Sequence, residues 1–151
     1  MTRSDVDELY QAAIVDHDRA PRNCGPLAGA THAATVDNPL CGDVVTMQLV
    51  VEDGVVRAAG FEGRGCALSR AAASMLTGEL TGLDLTAVRA RLAAFEAFVA
   101  SAPDAPAPVD VGDPGDLGEL VAFSGVRRFR SRRVCALLAA RAVVRALSSA
   151  T

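Results

Sequence analysis

The sequence contains no lysine; apart from histidine, every basic residue is arginine. Alongside the many Ala and Val, this reads as a compositional bias of the coding sequence rather than a functional signal. Positive charge does not accumulate either. The formal net charge is −3, which argues against a general nucleic-acid binder, usually strongly basic. No apolar run approaches the roughly 20 residues that a helix needs to cross a bilayer. The opening Met1-Thr2-Arg3-Ser4-Asp5 has neither the basic nor the apolar region of a secretory signal, so a cytosolic location is expected. There is no P-loop, no GxGxxG turn and no serine-centred elbow. No internal repeat is visible.

What is present suits a folded core. Half of the 151 residues are hydrophobic, so global disorder is excluded and a single domain over 1–151 is expected. Four cysteines in a reducing compartment are metal ligands, reactive thiols or small buried residues more readily than disulfides.

Val6, Leu9, Tyr10, Ala13 and Ile14 recur at helical spacing, with His17 next on the same face. They predict an amphipathic helix over about 5–17, opened by an approximate capping box of Ser4 and Asp7 and ended by Pro21. A first strand is expected near 31–37. Val45, Met47, Leu49 and Val51 then alternate with Thr46, Gln48, Val50 and Glu52, which predicts a strand with one better-buried face. Asp53-Gly54 is a hairpin signal, and Val55 to Glu62 the returning strand. A helix is expected from about Cys66, with Leu68, Ala71, Ala72, Met75 and Leu76 inward and Gly78 as its cap. Another should start near Asp84, with Leu85, Val88, Leu92, Phe95 and Val99 as its stripe. Pro103, Pro106, Pro108 and Pro114 break regular structure, and acidic residues gather there, so about 101–118 reads as an insertion. The last helix is expected from about Arg132 to Leu147, burying Leu137, Ala140, Val144 and Leu147.

Three cysteines stand where chemistry is conceivable. In Cys41-Gly42-Asp43 the glycine lets the chain turn sharply, so a thiolate and a carboxylate could face one ion. By itself, a C-x-D spacing fits an ordinary turn equally well. Cys66 follows Gly63-Arg64-Gly65 at an expected helix start, where the helix terminus and a nearby arginine favour a thiolate. A buried small cysteine is the alternative there. Cys135 falls in the expected first turn of the last helix, away from Leu137 and Ala140. The spacing is not that of a zinc finger. Three thiolates and a carboxylate would close a tetrahedral shell carrying about −2 overall, which Arg64 or Arg132 could partly offset. Cys24 reads as structural or incidental, His17 as a packed, hydrogen-bonded histidine and His32 as a surface strand residue. The cluster Arg127, Arg128, Arg130, Arg132 and Arg133 reads as a solvated or partner-facing surface.

Asn38-Pro39-Leu40-Cys41-Gly42-Asp43 and Phe61-Glu62-Gly63-Arg64-Gly65-Cys66-Ala67-Leu68-Ser69, with Cys135 on the last helix, resemble the iron–sulfur cluster assembly scaffold superfamily of IscU, NifU N-terminal domains and SufU. Leu9-Tyr10 through Asp16-His17 and Pro21-Arg22-Asn23-Cys24-Gly25 are similar to that superfamily's start. Val134 stands where IscU-like members carry a histidine. The long separation of Cys66 from Cys135, together with Phe123-Ser124-Gly125-Val126 and Arg132, resembles the SufU-like branch. Arg130 and Val134 depart from its usual proline and lysine.

The resemblance implies an α+β fold, a small three-stranded antiparallel sheet with helices mainly on one face. It implies zinc held by Cys41, Asp43, Cys66 and Cys135. It further implies that Cys41 accepts sulfur from a persulfide on a PLP-dependent, SufS-type cysteine desulfurase and passes it to downstream iron–sulfur assembly proteins. A monomer is favoured, with no nucleic-acid or membrane partner. Two rivals are an iron–sulfur cluster scaffold on the same ligands and a partner-binding domain with a purely structural zinc.

Overall fold

The computed structural model describes residues 2–106 and 116–149. Helix α1 (Arg3–Arg19) leads to strands β1 (His32–Asn38), β2 (Asp43–Glu52) and β3 (Val55–Arg64). Helices α2 (Ala67–Leu80) and α3 (Leu85–Ala100) follow, then a run of 3-10 turns over Gly118–Arg128 and helix α4 (Arg130–Ser149). The sheet is antiparallel throughout, in the order β1-β2-β3.

Alternation decides which face is buried. Met47 sits between Ala34 and Phe61, and Leu49 between His32 and Ala59. Met47, Leu49 and Phe61 are fully buried against α2 and α4. A bulge between Val50 and Val51 interrupts the alternation, leaving Val51 half-buried. The β2–β3 hairpin turns at Asp53 (φ 54°) and Gly54 (φ 73°), the positive-φ pair expected of an Asp-Gly turn. The opposite face carries Thr35 beside Thr46, their hydroxyls 2.6 Å apart. The segment after α1 crosses this face, where the Leu27 N–H donates to Gln48 Oε1 at 3.0 Å. The α+β architecture with helices mainly on one face is the one expected.

Several local expectations need correction. Helix α1 is capped by Thr2, whose hydroxyl accepts from the Asp5 N–H while the Asp5 carboxylate accepts from the Thr2 N–H. Ser4 lies inside the first turn, so the box is two residues earlier than Ser4–Asp7. Leu9 is exposed, although it shares the predicted apolar face. Gly78 does not end α2; the helix continues to bury Leu80 and stops before Gly82 (φ 94°). Helix α4 starts at Arg130, and its orientation buries Val143 in place of Val144, which is 46% exposed. His17 is buried as expected, with Nδ1 2.7 Å from Ser74 Oγ and Nε2 2.5 Å from Glu119 Oε2. Within the predicted insertion, residues 107–115, including Pro108 and Pro114, lie outside the described residues.

The arginine cluster divides. Arg127 is buried, contrary to the expected solvated or partner-facing surface. Its guanidinium lies 4.6 Å from the Phe98 ring centre and donates to the carbonyls of Pro103, Ala105 and Ser124. It therefore ties the root of the insertion to the 3-10 segment. Arg128, Arg130 and Arg132 are exposed.

Candidate metal centre

Asn38 and Asp43 form the last pair of the β1–β2 ladder. The four residues between them are held by Asn38. Its Oδ1 accepts from the Leu40 N–H at 3.1 Å, and its carbonyl accepts from Cys41 and Gly42 at 3.3 and 2.8 Å. Gly42 takes φ 75°, the left-handed conformation that lets the chain re-enter β2. The result is an exposed Cys41 at the hairpin tip and a buried Asp43 at the first position of β2.

Cys66 occupies the N-cap position of α2, without a capping hydrogen bond from its side chain. The glycines before it have steric reasons. Gly63 takes φ 146°, and a Cβ there would strike the Val44 carbonyl. A Cβ on Gly65 would strike Ser69 Oγ and lie 2.9 Å from Asp43 Cγ. The close approach therefore serves Asp43. Ser69, one turn into α2, donates to Asp43 Oδ2 at 2.9 Å and lies 3.6 Å from Cys66 Sγ. Burial raises the Asp43 carboxyl, but hydrogen bonds from Ser69, from the Cys66 backbone and thiol and from the Cys41 thiol outweigh it, and the net direction is down. Asp43 is thus kept as a carboxylate.

Cys135 is half-buried in the second turn of α4, because that helix begins earlier than expected. It lies beyond the first turn, where the helix terminus would favour a thiolate. Burial pushes its thiol up to about 12, with the neighbouring Cys66, Cys41 and Asp43 adding to the rise.

Among the described residues, one ligand atom each from Cys41, Asp43 and Cys135 lies within 4.8 Å of the others. A tetrahedral zinc shell with bonds of about 2.3 Å to sulfur places its sulfurs about 3.8 Å apart. The donor set of two thiols and a carboxylate fits such an ion, and a dication would relieve the repulsion that adds to the burial-driven rise of Cys135. The Cys66 thiol is outside that tightest group, 3.6 Å from the same Ser69 hydroxyl that donates to Asp43. Cys41, Cys66 and Cys135 all line one cavity of about 540 Å³, with Arg132 beside them. Arg64 is exposed and does not line it. Cys24 lies elsewhere, bridging to Phe61 on β3. Sequence reasoning missed Ser69 and Asn38 as supports. Their signals were a hydroxyl three residues after Cys66 and an Asn before a proline turn.

The sequence profile of the NifU-like N terminal domain matches residues 9–136. The chain belongs to the NifU-like N-terminal domain family. Within this family it is similar to the zinc-dependent sulfurtransferase SufU of Bacillus subtilis (strain 168), 32% identical over 140 residues, 93% of this chain and 90% of that one. It is 31% identical over 147 residues to the iron–sulfur cluster assembly scaffold protein IscU of Streptococcus pyogenes serotype M1, covering 97% and 87% of the two chains. The crystal structure of a NifU-like N-terminal domain from Brucella abortus superposes with a TM-score of 0.79 at 29% identity, covering 95% of this chain and 94% of that one. The NifU-like fold of this chain is therefore the one implied by its motifs.

Proposed function

We propose that this chain, one domain over 1–151, is a cytoplasmic, monomeric, zinc-dependent persulfide acceptor serving iron–sulfur cluster assembly. Its donor is a PLP-dependent, SufS-type cysteine desulfurase, and its products go to downstream assembly proteins. The observation that carries this reading is the exposed Cys41 on a braced hairpin tip, clustered with Asp43 and Cys135. Val134 in place of the histidine of IscU-like scaffolds favours transfer over cluster building, as does the name of the Bacillus subtilis relative.

Cys41, Asp43, Cys66 and Cys135 would hold the zinc. A bound zinc ion would keep its thiolate ligands deprotonated near neutral pH. The Cys41 thiolate attacks the outer sulfur of the desulfurase persulfide. The sulfur–sulfur bond of that persulfide breaks, the desulfurase cysteine leaves as a thiolate, and the new persulfide rests on Cys41. Of the three cysteines proposed as ligands, Cys41 is the one with no helix behind it. Asp43 is pinned by Ser69, and Cys66 and Cys135 are carried on α2 and α4.

Metal analysis of freshly purified protein is expected to give about one zinc and a colourless solution, as one closed four-ligand site requires. The protein is expected to stimulate a cysteine desulfurase. A brown protein holding iron and sulfide would overturn this reading in favour of a scaffold. Zinc without stimulation would leave a structural metal. Gly65→Ala is expected to displace Ser69 and Asp43 and weaken zinc retention about 10- to 100-fold, read by competition with a chromogenic chelator. Its far-UV circular dichroism should stay that of wild type.

A further inference from the structure

The cavity holding the three thiols has an apolar collar of Leu40, Leu68 and Val134. Leu40 is 95% exposed. Single exposed apolar side chains are ordinary on protein surfaces, but two features set this one apart. Its backbone is already ordered, because buried Asn38 binds the N–H groups of Leu40, Cys41 and Gly42. Docking through it therefore avoids the cost of ordering a loop. Leu40 is also bonded directly to Cys41. Both line the same cavity, so a partner that reaches Cys41 Sγ through it meets Leu40 as well.

We propose that Leu40 is the docking anchor for the desulfurase, inserting into an apolar recess beside the partner's persulfide-bearing loop. Leu68 and Val134 complete a seat that excludes water while sulfur changes hands. This inference rests on the reading of Cys41 as the acceptor. Charge narrows the occupant further. Arg132 lines the same cavity, with its guanidinium 4.6 Å from the half-exposed Phe129 ring centre. Among the described residues Arg132 has no ion pair. The complementary loop is apolar at its tip and presents a carboxylate to Arg132. Leu40 supplies no reacting atom; it is a positioning residue.

The test titrates a cysteine desulfurase with wild type, Leu40→Ala and Leu40→Asp. The concentration giving half-maximal stimulation should rise about tenfold for Leu40→Ala, equivalent to about 1.4 kcal/mol, and further for Leu40→Asp. Stimulation at saturation and zinc content should not change. A second measurement is the dissociation constant of Cys41→Ala for the desulfurase, with and without Leu40→Ala. It reads docking without transfer, and Leu40→Ala should weaken it by the same factor. Both quantities staying within about twofold of their Leu40 values would overturn the anchor while leaving transfer intact. Binding that depends on Leu40 without any sulfur transfer would support the anchor and overturn the acceptor reading alone. Neither binding nor transfer by wild type would overturn both.

Discussion

Cys41→Ala is expected to lower persulfide loading from a desulfurase by roughly 10³-fold or more, as loss of a reacting group does. The reason lies in how the cysteines are presented. Cys41 is exposed at a hairpin tip, whereas Cys135 is half-buried on α4. Cys24 is exposed but lies outside the cluster. Intact-mass measurement after incubation with desulfurase and cysteine reads the extra sulfur directly. The variant should keep its fold, since its Cα lies on a surface turn braced through Asn38. Undiminished loading would move the acceptor to another cysteine and sink the assignment of Cys41.

Arg127→Ala is expected to cost roughly 3–4 kcal/mol of stability, because it removes several charge-assisted hydrogen bonds and strands buried acceptors. Arg127 is 3% exposed. Its Nε donates to the Ser124 carbonyl at 3.0 Å, and Nη1 to Ser101 Oγ and the Ala105 carbonyl, both at 2.9 Å. Nη2 donates to the Pro103 carbonyl at 3.0 Å and to Ser124 Oγ at 2.9 Å. Arg133 then donates through Nε to the Arg127 carbonyl at 2.9 Å. That contact connects this clamp to the start of α4, on which Cys135 rides. Urea unfolding should show the loss as a midpoint shift of about 2 M, for a slope of about 2 kcal/mol/M. Arg127→Lys should recover little, since one ammonium cannot replace a planar fork over Phe98. An unchanged midpoint in Arg127→Ala would mean that these contacts contribute nothing net.

The two predictions mark different depths of sequence reading. Cys41 was legible because a cysteine, a glycine and an aspartate in consecutive positions form a local turn, and local turns are written in local residues. The same holds for Asp53-Gly54 and for the alternation of Val45, Met47 and Leu49. Arg127 was misread because its partners, Phe98, Ser101, Pro103 and Ala105, precede it by more than twenty residues. A run of arginines looks solvated when each is considered alone. Val144 was misassigned for a related reason. Helix α4 offers apolar residues at both 143 and 144, and only its seating on β1 and β2 selects Val143. Ser69 was overlooked because a serine in the first turn of a helix has a sufficient local use there. Its bond to Asp43 appears only when α2 lies beside β2.

The sequence by itself determined the three strands, the four α-helices, the hairpin turn and the identity of the reactive-looking side chains, because periodicity, positive φ and ligand chemistry are properties of neighbouring residues; the 3-10 run over Gly118–Arg128 was not among them. The tertiary structure alone decided which of those side chains meet. The β1–β2 hairpin, the start of α2 and the second turn of α4 bring Cys41, Cys66 and Cys135 around one cavity, with Asp43 close to Cys41 and Cys135. That convergence depends on which faces the helices bury against the sheet. It also depends on the absence of a side chain at Gly65, whose Cβ would occupy the space of Ser69 and Asp43.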